Sequence, residues 1–326
     1  MRIVIIKLSS MGDTLHALPT VAAIKEHLGA EIDWVVQPEF APLVRCFAPV
    51  DRVLLWPRSG SWQVRRQALG ELRAVRYDLA IDLQGLLKSA FVTRLSQAGR
   101  RIGPSFHREG ALLFYNLVAG RRNKQRHAIE ECMDVLDLLD IPRPATPQFP
   151  LNLPEIRLDP APAGVRRVAI APLSRWPSKN WPLTHFAAVA RHLVNECNLE
   201  LHGIGGPDDA AAVEEMMRLA GVPMRNHCGS YSLAESGSLL REMDLLLTND
   251  SGPMHLAVAV GTPCVALFGP TLPDRTGPYG EGHRVLRLDN CPPCRRRDCQ
   301  RPRTICLADL PPEMVIDTVR EVLAGL

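Results

Sequence analysis

Apolar residues in this chain come in two alternating textures. Short runs at 2–8 (RIVIIKL), 32–36, 53–56 and 79–83 show little polar interruption and are rich in β-branched residues. That is the signature of strands buried on both faces of a parallel sheet. Between and after them lie longer stretches, at 20–28, 63–76, 86–96, 111–118 and 128–139. There apolar residues recur three and four apart, which predicts helices. Over 141–164 the texture changes: seven prolines interrupt any regular element. The alternation then restarts, with strands expected at 168–171, 199–204, 245–247 and 265–268. Helices are expected at 183–196, 211–220, 254–260 and 312–326. Strands alternating with helices predict an α/β fold of two Rossmann-like parallel-sheet domains facing across a cleft, joined by the proline-rich segment.

One βαβ unit stands out. The apolar run 245–247 ends in the polar elbow Thr248-Asn249-Asp250-Ser251-Gly252-Pro253, and a helix ending at Gly261 follows. Asp250 or Ser251 suits the helix cap and Pro253 its first turn. The free N–H groups and positive dipole end would then make an anion site at the carboxyl edge of the sheet, where open α/β sheets bind ligands. The same residues equally describe an ordinary capped strand-to-helix turn. After the first strand comes Ser9-Ser10-Met11-Gly12-Asp13-Thr14-Leu15-His16, which is not a GxGxxG fingerprint. Asp13 there is either a helix cap or a carboxylate placed as a general base.

Composition narrows the class. At 326 residues, 46% hydrophobic and 22% charged, the chain suits a two-domain globular protein. A net charge of only +3 and 5% aromatic residues give no support for nucleic acid as a partner. The N-terminal apolar run is too short for a signal peptide, and no stretch approaches the ~18 apolar residues of a membrane span. A cytoplasmic protein is expected, in which nine cysteines imply thiols or a metal site rather than disulfides.

The segments KLSSMGDTLHALP, YDLAIDLQGLLKSA, WPSKNWP, NDSGPMHLAVAVGTP and LFGPTLPDRTGPYG together resemble the bacterial lipopolysaccharide heptosyltransferases of glycosyltransferase family nine. SSMGDTLH and QGLLKSA most resemble the members that add the first heptose to the inner core. The alternatives are members that add a later sugar. More distant are a nucleotide-sugar epimerase and a non-catalytic binder of anionic lipid. The resemblance implies a GT-B fold: an acceptor-binding domain over 1–160, a nucleotide-sugar domain over 161–311, and a last helix, 312–326, packing back on the first. It implies inverting transfer of heptose from ADP-heptose to a Kdo sugar on lipid A. No Asp-x-Asp triplet occurs, which fits transfer without a metal or other cofactor.

Matched residue by residue, the resemblance makes Asp13 the catalytic base and Lys179 the cation that neutralises the departing phosphate. Asp250 would hold heptose hydroxyls, with Ser251, Gly252 and His255 as phosphate and sugar contacts. Ser174 would offer a hydroxyl to the phosphates; Arg175 replaces the second threonine often found in the family. Asp209 is expected near the ribose, and the backbone around Tyr231-Ser232-Leu233 near the adenine.

The acceptor side rests on charge. Arg58, Arg65, Arg66, Arg73 and Arg76 surround one expected helix, and Arg100, Arg101, Arg121, Arg122, Lys124, Arg126 and His127 follow in the same domain. Such groups suit lipid A phosphates, Kdo carboxylates and the anionic inner face of the inner membrane; individually they also suit a solvated helix face. Finally, Cys291, Cys294, Cys299 and Cys306 lie in an arginine-rich loop. They make either a structural zinc site or a group of thiols, while Cys46, Cys132, Cys197, Cys228 and Cys264 read as small core residues.

Overall fold

The computed structural model describes residues 1–301 and 304–326. The buried runs form two separate six-stranded sheets, one in each of two units, Met1–Asn152 and Leu153–Leu326. The first contains β1 (Arg2–Ile6), β2 (Glu31–Val36), β3 (Arg52–Leu55), β4 (Leu79–Asp82), β5 (Arg100–Pro104) and β6 (Leu117–Ala119), in the order β3-β2-β1-β4-β5-β6. The second contains β7 (Arg167–Ala171), β8 (Glu200–Gly203), β9 (Arg225–Asn226), β10 (Leu245–Asn249), β11 (Cys264–Leu267) and β12 (Arg284–Leu286), in the order β12-β11-β10-β7-β8-β9. Every pairing is parallel, so all loops leaving strand ends open on one edge of each sheet.

That order has a consequence for the site. In the first sheet the chain leaves β1 toward β2 and leaves β4 toward β5, in opposite directions. In the second sheet β7 and β10 play the same parts. The loops after these strand pairs diverge and leave a crevice between them, which is where open α/β sheets place ligands.

The unit boundary falls inside the proline-rich segment, eight residues before the expected 160. The segment is divided because each half is stitched to a different unit. Ala48 N–H donates to Pro150 O, Asn152 N–H to Cys46 O, and Phe47 bridges Leu151. On the other side, the Ser238 hydroxyl donates to Pro154 O and the Arg167 guanidinium to Asp159 O.

The terminal helix, Pro312–Ala324, belongs to the second unit. It buries Val315, Val319, Val322 and Leu323 in that unit's core beside Val168, Val265 and the helix Leu183–Cys197. This corrects the expectation that it packs on the first unit: its apolar stripe is matched by the face of the second sheet. Other corrections are local. The first helix runs Met11–Leu28, straight through Pro19, because Leu15, Leu18, Val21 and Ile24 bury one continuous face. Residues 111–118 are not a helix but a 3₁₀ turn, Ala111–Phe114, followed by β6. The helix Leu233–Arg241 and strands β5, β6, β9 and β12 were not anticipated.

Candidate active site

The crevice of the second sheet is lined by the loops after β7 and β10. Asn249, fully buried at the end of β10, ties the two together. Its amide nitrogen donates to Pro172 O at 2.5 Å, and its oxygen accepts from Trp181 N–H at 3.2 Å. The loop so anchored carries Lys179, whose ammonium lies 2.7 Å from Asp250 Oδ2 and 4.9 Å from the centroid of Trp176. Asp250 is buried, and the same Oδ2 accepts from the Thr271 hydroxyl at 2.5 Å. Three loops thus converge on one carboxylate. A buried carboxylate is tolerated only with such partners, because desolvation penalises an unpaired charge.

Directly after Asp250 begins the helix Gly252–Val260, with Ser251 at its N-cap. No side chain caps it; the Ser251 hydroxyl lies 3.1 Å from Thr248 Oγ1 instead. The first turn is thereby kept for another acceptor, and its dipole favours an anion. Half-buried His255 lies one turn in. Lys179, Asp250, Ser251, Gly252 and His255, expected as one site, are brought together by these elements.

Ser174 and Asp209 each hold a turn within their own loop. The Ser174 hydroxyl donates to Trp176 O at 3.1 Å and accepts from Trp176 N–H at 3.3 Å, closing a turn within its own loop. It thereby shapes the path to Lys179. Asp209 Oδ2 accepts from Gly206 N–H at 2.8 Å, so that oxygen holds the turn after β8. Ser232 caps the helix Leu233–Arg241 reciprocally with Glu235, and Tyr231 lies 5.6 Å from the His227 ring.

In the first unit, Asp13 sits in the opening turn of the helix Met11–Leu28. Its Oδ2 accepts from Ser10 N–H at 3.0 Å and from the Ser10 hydroxyl at 2.9 Å. The carboxylate therefore does cap its helix, and it is also exposed at the carboxyl edge of the sheet. Its loop is held from the neighbouring strand end. Gln84, after β4, accepts from Leu8 N–H at 2.8 Å and donates to Ser9 Oγ at 3.3 Å. Gln84 is set in turn by the fully buried Asp82, whose Oδ1 accepts from Gln84 N–H and Gly85 N–H, while Oδ2 takes the Tyr115 hydroxyl at 2.6 Å. Burial pushes the Asp82 carboxyl up and these donors pull it back. Beneath, the buried Lys7 donates to Leu83 O at 2.5 Å. Burial raises the Cys132 thiol to about 11, with the Lys7 ammonium opposing and the Asp13 carboxylate adding to the rise. His16, one turn beyond Asp13, meets the His127 ring edge-on at 5.4 Å.

The basic groups divide by edge. Arg58, Arg65 and Arg66 follow β3, and Arg121, Arg122 and Lys124 follow β6; all are exposed at the carboxyl edge. These are the two end strands of the sheet, with Asp13 after the central β1. Arg100 and Arg101 begin β5 at the opposite edge, and Arg101 is spent on Phe114 O and Ala98 O. Arg73 donates to Leu95 O, and Arg126 pairs with Asp134 at 2.9 Å. Arg101, Arg73 and Arg126 are thereby committed within the unit, and Arg100 is exposed away from the carboxyl edge. Among the described residues no group of three or more His, Cys, Asp or Glu stands in a metal-holding arrangement. The zinc site weighed for Cys291, Cys294, Cys299 and Cys306 is therefore not what the structure shows.

Thr271, Asn249, Gln84 and Asp82 were missed as site residues. Their signal was present: each is a polar residue at the carboxyl end of an apolar strand run or in the loop that follows it.

Residues 65–304 match the model of glycosyltransferase family 9 (heptosyltransferase). The chain is 29% identical to lipopolysaccharide heptosyltransferase 1 of Pseudomonas aeruginosa, over 99% of this chain and 98% of that protein. It is 32% identical to the protein of that name from Escherichia coli K12, over 88% and 93% of the two chains. Among solved structures, the E. coli heptosyltransferase WaaC with ADP-2-deoxy-2-fluoro heptose has a TM-score of 0.79 at 26% identity, covering 98% of this chain and 99% of that one.

Proposed function

The chain belongs to glycosyltransferase family 9, and from that premise we propose that it moves L-glycero-D-manno-heptose from ADP-heptose to the Kdo sugar of Kdo–lipid A, with inversion, in lipopolysaccharide inner-core assembly. The observation that carries the donor half is the convergence of Lys179, Asp250 and Thr271 beside the uncapped helix Gly252–Val260. A sugar diphosphate offers the kinds of partner this cluster suits: an anion for the ammonium and the uncapped N–H groups, and hydroxyls for the carboxylate. The match to a heptosyltransferase solved with an ADP-heptose analogue supports the same donor.

In the reaction, the acceptor hydroxyl oxygen bonds to the anomeric carbon while its proton passes to Asp13. The bond from that carbon to the diphosphate breaks, and its electron pair leaves with ADP. Lys179 and the first turn of the helix Gly252–Val260 stabilise the charge that develops on the leaving oxygen. Asp250 and His255 orient the sugar, and Ser251 and Gly252 face the phosphates. Asp209 serves the ribose through its second oxygen. A positioned base contributes ~10²–10⁴-fold; the leaving group needs no acid, because a nucleoside diphosphate departs as a weak base.

Arg58, Arg65, Arg66, Arg121, Arg122 and Lys124 receive the acceptor's phosphates and carboxylates, and the same face approaches the anionic inner membrane from the cytoplasm. No helix among the described residues is long and apolar enough to cross a membrane. The test is ADP release and product mass with ADP-heptose and Kdo–lipid A, beside a panel of other nucleotide sugars and of acceptors already carrying heptose. Transfer only to a heptose-bearing acceptor would overturn the Kdo assignment, and no ADP release from any pair would overturn transfer.

A further inference from the structure

The arginine-rich loop after β12 has no part in the site as described so far. It leaves the carboxyl edge of the second sheet next to β11, so it starts beside the loop that carries Thr271. Its backbone is then fastened to the loop that carries Thr271, the hydroxyl partner of Asp250, and to the loop that carries Lys179. Arg295 N–H donates to Pro270 O at 2.8 Å, one residue before Thr271. On the other side, Ser178 N–H donates to Arg297 O at 3.2 Å and the Ser178 hydroxyl to Arg296 O at 2.6 Å. Ser178 is the residue before Lys179 and is buried. The side chains of Arg295, Arg296 and Arg297 are exposed.

The root of the loop shows an unmet need. Arg287, the residue after β12, is only 23% exposed, and its Nε is buried with no hydrogen-bond partner. Asp289 stands 3.9 Å from its Nη2, too far for a hydrogen bond. A buried donor left unpaired is costly and marks a place where a partner is missing.

The cysteines explain how the loop keeps its course. Cys306 is buried against Gly269, where a Cβ would come within 3.0 Å of its sulfur. Burial raises the Cys306 thiol, and Cys291, Cys299 and Cys294 add to the rise, so each of those three lies within electrostatic reach of Cys306. Asn290 further fastens the loop base to Ile305 O at 2.9 Å.

We propose that this loop is a second, arginine-built wall of the donor site, in which Arg296 and Arg297, with Arg287 at the root, hold the diphosphate of the nucleotide sugar. The assignment rests on the donor reading given above. Planar guanidinium groups suit a diphosphate because each donates two parallel bonds to phosphate oxygens. The loop then supplies, on the side facing Lys179, positive charge that other transferases take from a metal ion.

The experiment measures binding of ADP and of adenosine to the whole protein by calorimetry, at two salt concentrations. Arg296→Gln and Arg297→Gln are each expected to weaken ADP about 10-fold, the loss of one charge-assisted hydrogen-bonding group, to leave adenosine unchanged, and to lower the salt dependence. Ser178→Ala, which unclasps the loop without touching an arginine, weakens ADP by a smaller factor. Arg241→Gln, which removes the same charge from an exposed helix end, leaves ADP unchanged. If the wild-type protein binds ADP and the loop variants bind it equally well, the arginine wall is wrong and the donor reading stands. If the wild type does not bind ADP, the donor reading falls and this inference falls with it.

Discussion

Lys179 and Asp250 meet at 2.7 Å across the point where the loops after β7 and β10 diverge. Neither charge is well solvated: the Lys179 side chain is 18% exposed and that of Asp250 5%. A pair held this way is weak evidence for stability, since desolvation offsets the attraction. Under the proposed function each partner exchanges the other for a substrate group: phosphate takes the carboxylate's place beside the ammonium, and sugar hydroxyls take the ammonium's place as donors to the carboxylate.

Removing one partner strands the other. Lys179→Met should destabilise the protein by about 3 kcal/mol, the usual cost of leaving a buried charge unpaired, and weaken donor binding and turnover together. Lys179→Met with Asp250→Asn should recover most of the stability and none of the activity. Chemical denaturation and ADP-heptose titration of the three variants check this. A double variant as unstable as the single one would show that the pair is not what Asp250 depends on.

The base role proposed for Asp13 and its bonds to Ser10 are separated by different substitutions. Asp13→Ala removes both the base and the acceptor for Ser10, so it should cost about 1 kcal/mol of stability, as cap losses do, along with turnover. Asp13→Asn keeps an oxygen for Ser10 and should fold normally, yet lose ~10²–10⁴-fold in kcat. Donor affinity should stay within a few fold in both. A normal rate for Asp13→Asn would remove it from the chemistry.

These two residues also show what the sequence made legible. Both strand–loop–helix units were readable because parallel strands buried on both faces produce long unbroken apolar runs, and the polar residue that ends such a run stands at the ligand edge. β5 and β6 were not readable. β5 reads RRIGP, with Gly103 and Pro104 in it, because the Tyr115 ring packs where a Cβ at Gly103 would stand. β6 is three residues long. Tertiary packing, not local pattern, makes both. The second role of Ser174, as a turn-former, was hidden for a similar reason: the same hydroxyl suits phosphate or a local backbone bond, and only the fold chooses. The terminal helix was misplaced because its stripe of Val315, Val319 and Val322 states that it packs, not on what.

Gln84 holds the loop that carries Asp13, so the proposed mechanism makes it a positioning residue. Gln84→Leu keeps the volume but loses the bonds to Leu8 N–H and Ser9 Oγ. Since small misplacements of a catalytic group are expensive, kcat should fall about 10–100-fold while the KM for ADP-heptose is unchanged. Gln84→Glu, which keeps the acceptor for Leu8, should fall less. Equal loss in both, with a raised donor KM, would mean a general structural fault instead.

The second unit carries a built-in acid sensitivity. His202 is fully buried, stacks on His227 with a 3.0 Å contact between Nδ1 and Nε2, and faces Glu200, Arg167 and Arg225. Burial lowers it to about 4, with the Glu200 carboxylate opposing, and His227 is lowered for the same reason. Above the ordinary histidine range both folded and unfolded chains are neutral here, so stability does not change with pH. Below about 6.5 the unfolded chain takes up a proton that the folded chain refuses, so stability falls until about pH 4, by about 3 kcal/mol in total from His202. Urea denaturation between pH 7.5 and 4.5 checks the sign, and His202→Gln should flatten the slope. A slope unchanged in that variant would assign the acid loss elsewhere.

Gly103→Ala tests the chain of support from the sheet to Asp13. An added Cβ would stand 2.0 Å from Cδ2 of Tyr115, so the ring has to move. Tyr115 donates to Asp82, Asp82 sets the turn at Gln84, and Gln84 holds the loop that carries Asp13. Overpacking of this kind costs about 1–3 kcal/mol, and here the strain enters at one end of that relay. Gly103→Ala should therefore lower both the unfolding midpoint and kcat, with the donor KM unchanged because the donor residues belong to the other unit. Tyr115→Phe removes only the hydroxyl, leaving Asp82 short of one donor, and should lower kcat with a smaller loss of stability. Retention of full activity by both variants would show that Asp13 does not depend on this relay for its position.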